Sequence, residues 1–227
     1  LGATTNNLSI SGNGTLDLQT GTQTQGNVTV TNGNIISGTL TNSGITFTGG
    51  SNNITAALAG VGGLTNASGS TTLSAANLYS GGTVVNGGKV TATVDNALGA
   101  SGNTLTVNSN STLTLTGTAQ TNGVVALNGS TLAGGTLSGT SFTTTGNNTI
   151  STALAGAGGL TNTSGSTTLT GVNTYSGNTV INGGGVTVSG SGTLGSTDNN
   201  LTVNSNSSLT LTGTSQTAQI VGLNGST

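Results

Sequence analysis

Residues 53–88 read NITAALAGVGGLTNASGSTTLSAANLYSGGTVVNGG, and residues 149–184 read TISTALAGAGGLTNTSGSTTLTGVNTYSGNTVINGG. Leu58 answers to Leu154 and Tyr79 to Tyr175, each pair 96 residues apart. A third copy opens at Leu1-Gly2, which matches Leu98-Gly99 and Leu194-Gly195, each followed by a Leu-x-(Ile/Val) pair. The chain thus divides into repeats at 1–97 and 98–193 and a partial copy at 194–227, within one continuous unit over 1–227. Long repeats of short extended segments make quasi-one-dimensional solenoids, in which each unit packs on its neighbours alone.

Inside each copy the dominant period is two. Leu8-Ser9-Ile10, Val28-Thr29-Val30, Leu105-Thr106-Val107, Leu113-Thr114-Leu115, Leu201-Thr202-Val203 and Leu209-Thr210-Leu211 alternate apolar residues with Ser or Thr. Alternation sends one set of side chains inward and the other outward, and β-branched residues suit a pleated surface. Leu115 and Leu211 are expected to face inward at equivalent positions, with Thr114 outward. Asn32-Gly33, Asn86-Gly87, Asn128-Gly129 and Asn182-Gly183 separate the runs and read as turns. Such pairs also mark hairpins, so an antiparallel sandwich or barrel is the rival fold. The strands are short for hairpin sheets, no helical segment supplies a crossover, and a charge-poor chain suits a coil whose strand edges are paired along its axis. The expected fold is all-β, a parallel β-helix (β-solenoid). Coils of about 20–25 residues would place four in each repeat, with about 19 Å of rise per repeat and a rod of about 45 Å. Ile54 and Leu58 have helical spacing, but Gly60, Gly62 and Gly63 follow at once, and the segment reads as strand or turn.

Composition removes most function classes. The 227 residues include 42 Gly, no Cys, no His and no Pro, and only 2% are charged. Such polarity without charge is also the signature of disorder; the regular apolar spacing argues for a thin core instead. The net charge of −2 comes from Lys89 against Asp17, Asp95 and Asp198. No basic patch exists to bind nucleic acid or an anionic membrane surface, and no apolar run is long enough to cross a bilayer. Without Cys there are no disulfides or thiolate metal sites, which fits a chain exported unfolded. No secretory signal is visible, and both ends fall inside a repeat, so the sequence reads as an internal piece of a longer protein.

From Gly62 to Val90 the combination Gly62-Gly63-Leu64, Thr72-Leu73, Asn77, Tyr79-Ser80-Gly81, Thr83-Val84, Asn86-Gly87-Gly88 and Val90 resembles the passenger-associated repeat of bacterial autotransporters. The second copy carries it as Gly158-Gly159-Leu160, Thr168-Leu169, Asn173, Tyr175-Ser176-Gly177, Thr179-Val180, Asn182-Gly183-Gly184 and Val186. Leu78 departs from the polar residue expected before the tyrosine; Thr174 keeps it. The resemblance implies a right-handed parallel β-helix exported across the outer membrane by a C-terminal β-barrel. That barrel is not in this sequence, and any membrane link runs through it alone. The implied location is extracellular, or the outer-membrane surface of a Gram-negative-type bacterium.

No residue set reads as catalytic, cofactor-binding or metal-binding. Asp95 aligns with Ser191, Asp198 with Gly102 and Asp17 with Thr114, so no acid recurs, and Lys89 aligns with Gly185. Acid–base pairs and Ser–His arrangements lack their parts. Gly60-Val61-Gly62-Gly63 lacks the Lys and following helix of a phosphate loop. Three Asp are too few for calcium-binding nonapeptide repeats. Phe47, Tyr79, Phe142 and Tyr175 are the only aromatics, and the two phenylalanines, 95 residues apart, read as equivalent. All four read as packing plugs, with sugar stacking as the alternative. The resulting expectation is a non-enzymatic rod, stalk or filament segment of a large repetitive surface protein. The alternative is an adhesin whose Thr/Asn-rich faces recognise glycan, a host surface or ice. Self-association, end to end or lateral, is expected in either case.

Overall fold

A computed structural model describes residues 3–213 and 215–225. Leu1, Gly2, Ser226 and Thr227, which carry the first and last matches of the repeat, lie outside them. Among the described residues there are twenty-nine strands of three to six residues and no helix. The first face of the molecule is a twelve-stranded sheet, the second an eleven-stranded sheet, and the third two separate three-stranded sheets. Pairing is parallel on all three faces, as in Leu8–Ser11 with Asn27–Thr31, Thr15–Asp17 with Asn34–Ile36, and Thr22–Thr24 with Thr39–Thr41. The chain therefore winds as a β-solenoid, visiting the faces in turn.

The register fixes the coil length. On the first face Leu8 pairs with Val28, Val28 with Ile45, Ile45 with Leu64, Leu64 with Thr83 and Thr83 with Leu105, steps of 20, 17, 19, 19 and 22 residues. From Leu105 the partners are Val125, Phe142, Leu160, Thr179 and Leu201, steps of 20, 17, 18, 19 and 22. Each repeat thus holds five coils, not four, because the steps average about 19 residues rather than the 20–25 expected. The corrected rise is about 24 Å per repeat, and the whole stack is about 53 Å long.

Stacked inward residues form the core. On the second face Leu16, Ile35, Ile54, Leu73, Ala92 and Leu115 succeed one another in register. A second column, Val90, Leu113, Leu132, Ile150, Leu169, Val188 and Leu211, runs one pleat to the side. The members from Ile35 to Val188 are buried. Leu211 is not: it stacks on Val188 but stays 42% exposed, since no strand pairs with its other edge among the described residues. Leu115 and Leu211 correspond in their pairing, on Ala92 and Val188, but they end different columns and differ in burial.

The third face is interrupted, and this is where polar residues turn inward. Its strands stop after Ala57–Ala59 and resume at Ala119–Thr121. In the gap, Asn77 accepts the Leu58 N–H at 2.8 Å and donates to the Ala97 carbonyl at 2.6 Å. One buried amide thus replaces ladder bonds to the coil below and the coil above. Asn173 does the same between Leu154 and Thr193. Gln120 closes the gap from its far side, accepting from Leu98 N–H and donating to the Val94 carbonyl. Backbone groups buried without partners are costly, so the interruption depends on these amides.

Candidate functional site

The recurring motif is built into the coil stack rather than displayed. The Tyr79 hydroxyl shares a 2.6 Å hydrogen bond with Thr83, whose own hydroxyl donates to the Leu98 carbonyl; Tyr175, Thr179 and Leu194 repeat the arrangement. Burial raises both phenol pKa values well above the usual tyrosine value, and the threonine bond offsets only part of that shift. Asn66 donates to the Gly87 carbonyl and accepts from Thr71; Asn162 repeats this with Gly183 and Thr167. The last glycine of Asn-Gly-Gly, Gly88, has φ +69 and lies against the backbone of Gly69, itself at φ +80. A Cβ there would strike the Gly69 carbonyl oxygen, so the coil closes at this corner only with glycine in both places.

All four aromatics are 1% exposed or less, so none offers a ring face to a ligand. The two tyrosines are equivalent; the two phenylalanines are not. Phe47 pairs with Asn66, whereas Phe142 pairs with Leu160 and Thr144 with Asn162. Phe142 therefore takes the place of Ile45, and Thr144 that of Phe47. The change is matched on both sides: Phe142 packs on Tyr175 with ring centroids 6.1 Å apart, and the Thr144 hydroxyl donates to Asn162 at 2.7 Å. A spacing of 95 belongs to neither register, since the repeats run 97 residues out of step before Leu160 and 96 after it.

The charged residues sit in separate places. Asp17 accepts from Gln19 N–H within its own turn, Asp95 accepts from Ala119 N–H across coils, Asp198 lies in the turn before Leu201–Asn204, and Lys89 points out from Gly88–Ala92. Among the described residues no group of three or more His, Cys, Asp or Glu forms.

What remains is the outer surface. Along the corner after the first face, side-chain amides stack: Asn108 donates to Asn86 and Asn128 to Asn108, and Asn204 to Asn182 and Asn224 to Asn204. On the first face itself Ser9, Thr29, Thr46 and Thr65 lie in one outward row. Beside that row runs a groove of about 430 Å³, with Gly44, Gly63 and Gly82 in its lining. Alternation identified the threonine row in the sequence. The groove was missed, because three glycines 19 residues apart look like turn residues until the register places them side by side.

Comparison of the chain with family models, with curated proteins and with solved structures finds no match. The likeness to autotransporter repeats rests on the motif residues alone.

Proposed function

We propose that this chain is a non-enzymatic structural segment, a stiff rod within a large repetitive protein at the bacterial cell surface. One observation carries the reading: the internally repeated motif residues are spent on holding coil to coil. Asn77, Tyr79, Thr83, Asn66 and Gly88 bridge neighbouring coils or seal corners, and their counterparts in the second repeat do likewise. A sequence that repeats its fasteners while its acids and its lysine fail to recur extends length rather than chemistry. Export as an autotransporter-like passenger would place the rod outside the cell. As a free polypeptide it presents Leu211, Ile220, Val221 and Leu223 at its last coils, a surface suited to self-association.

Small-angle scattering tests the rod. The maximum dimension should grow by about 24 Å for each additional copy of residues 98–193 inserted in register. Growth with the cube root of mass, as in a compact particle, would rule the rod out. A binding module is the second reading, and the groove on the first face is the observation that favours it.

A further inference from the structure

Gly44, Gly63 and Gly82 follow one another on adjacent coils: Asn27 pairs with Gly44, Ile45 N–H donates to Gly63, Leu64 N–H to Gly82, and Thr83 N–H to Thr104. Their outward places lie on the same pleat row, between Asn27 at one end and Thr104 at the other. Three missing side chains in succession leave the groove, walled by Thr29, Thr46, Thr65 and Val84.

The fold does not demand all three glycines. A Cβ on Gly63 would meet the Gly82 carbonyl oxygen at 2.5 Å, a backbone clash. A Cβ on Gly44 would meet only the Asn27 side chain, at 3.2 Å, and one on Gly82 would press first on the Thr104 hydroxyl, a side chain able to turn away. The second repeat confirms the distinction. Its row carries Val124, Ser141, Gly159, Asn178 and Asn200, keeping glycine only at the place of Gly63. There Asn178 reaches along the row to accept from the Asn200 N–H. The first repeat thus keeps a row open that the same coil geometry allows to be filled.

We infer that this groove is a binding site for a short neutral oligosaccharide. The inference rests on the binding-module reading and is independent of the rod. Three features select the occupant. No lining residue is charged, so an ionic ligand would lose its hydration without gaining a counter-charge. The backbone N–H groups of Ile45, Leu64 and Thr83 are already committed to ladder bonds, so a peptide strand finds no edge to pair with. Among the described residues the Thr29, Thr46 and Thr65 hydroxyls make no hydrogen bond, and they flank a strip of glycine Cα and Val84 methyl surface. Alternating hydroxyl and C–H surface is what a neutral sugar chain presents. With no aromatic platform, affinity for one site falls in the millimolar range, about −4 kcal/mol, and grows through repetition along a surface.

The test is an amide chemical-shift titration of the whole 227-residue polypeptide with neutral glucose, mannose and N-acetylglucosamine tetrasaccharides, and with a uronate tetrasaccharide as the charged control. At about 10 mM, at least one neutral tetrasaccharide should shift the Gly44, Gly63 and Gly82 amides while leaving Gly159 in place. Asn27→Val, Gly44→Ser, Gly82→Asn and Thr104→Asn together transplant the second repeat's row and should abolish the shifts with the melting temperature held. Absence of shifts with every neutral sugar, equal shifts with the uronate, or shifts that survive the row transplant would each overturn the inference. None of these outcomes bears on the scattering test of the rod.

Discussion

Asn77 and Leu115 show the two ways in which an inward position is filled. Leu115 adds apolar area to a column. Asn77 instead satisfies a Leu58 N–H and an Ala97 carbonyl that no strand reaches. Truncation to Ala would leave two buried backbone groups unpaired, at about 1–3 kcal/mol each. Asn77→Ala and Asn173→Ala should therefore each lower unfolding free energy by about 2–6 kcal/mol in urea melts, while Asn86→Ala, in the exposed ladder, should cost under about 0.5 kcal/mol. Equal losses at Asn77 and Asn86 would mean that the bridge contributes nothing. For the columns, Leu115→Asp buries a charge without a partner and should cost about 3–5 kcal/mol. Thr114→Asp, one residue along and outward, should cost under about 1 kcal/mol. Leu211→Asp should fall between them, because its side chain is already partly in water. The sequence showed the alternation that separates Leu115 from Thr114. It did not show that Leu211 sits at an uncovered end, since burial depends on the coil that follows.

At the scale of the element, corners rather than strands set the coil. Strand spacing was legible because period-two runs advertise themselves, yet the coil length was overestimated. A turn of a solenoid is closed by contacts between residues about 19 apart, and nothing local in the sequence reports that closure. The bridging role of the buried amides was hidden for the same reason: Asn77, though it recurs as Asn173, and Gln120 look like loop residues until the third face is seen to break around them. The tyrosine corner makes a testable element. Both phenols titrate above their usual pKa in the folded chain because burial disfavours phenolate. A group whose folded pKa is raised keeps its stabilisation below the unfolded pKa, near 10 for tyrosine, and loses it as pH climbs beyond that value. Stability should hold to about pH 10 and then fall by about 1.4 kcal/mol per pH unit for each tyrosine. The double variant Tyr79→Phe, Tyr175→Phe should start somewhat less stable and lose this alkaline slope. Melts collected from pH 8 to about pH 11.5 decide it; an unchanged slope in the double variant would place the titration elsewhere.

For the whole molecule, the absence of charge governs the response to its surroundings. One Lys and three Asp in 227 residues leave little for salt to screen. The stack is held by ladders, amide bridges and apolar columns, none of which depends on counter-ions. Thermal midpoints should move by less than about 2 °C between 0.05 and 1 M sodium chloride, against the larger shifts of proteins held by ion pairs. The same architecture predicts its resistance to cleavage. Lys89, the single trypsin site, lies within the strand Gly88–Ala92, paired on both sides by Ser70–Leu73 and Ser111–Leu115. A protease needs an extended, detached segment, and detaching this one breaks two ladders at once. Trypsin is therefore a weak probe, since it has one place to cut; a protease of broad specificity is the strong one. Under native conditions it should remove the ends and leave a core spanning at least residues 27–189 intact, where the three faces are continuous or bridged. Rapid digestion through the centre of the chain would show that the coils open independently, and would count against a rod that transmits load along its axis.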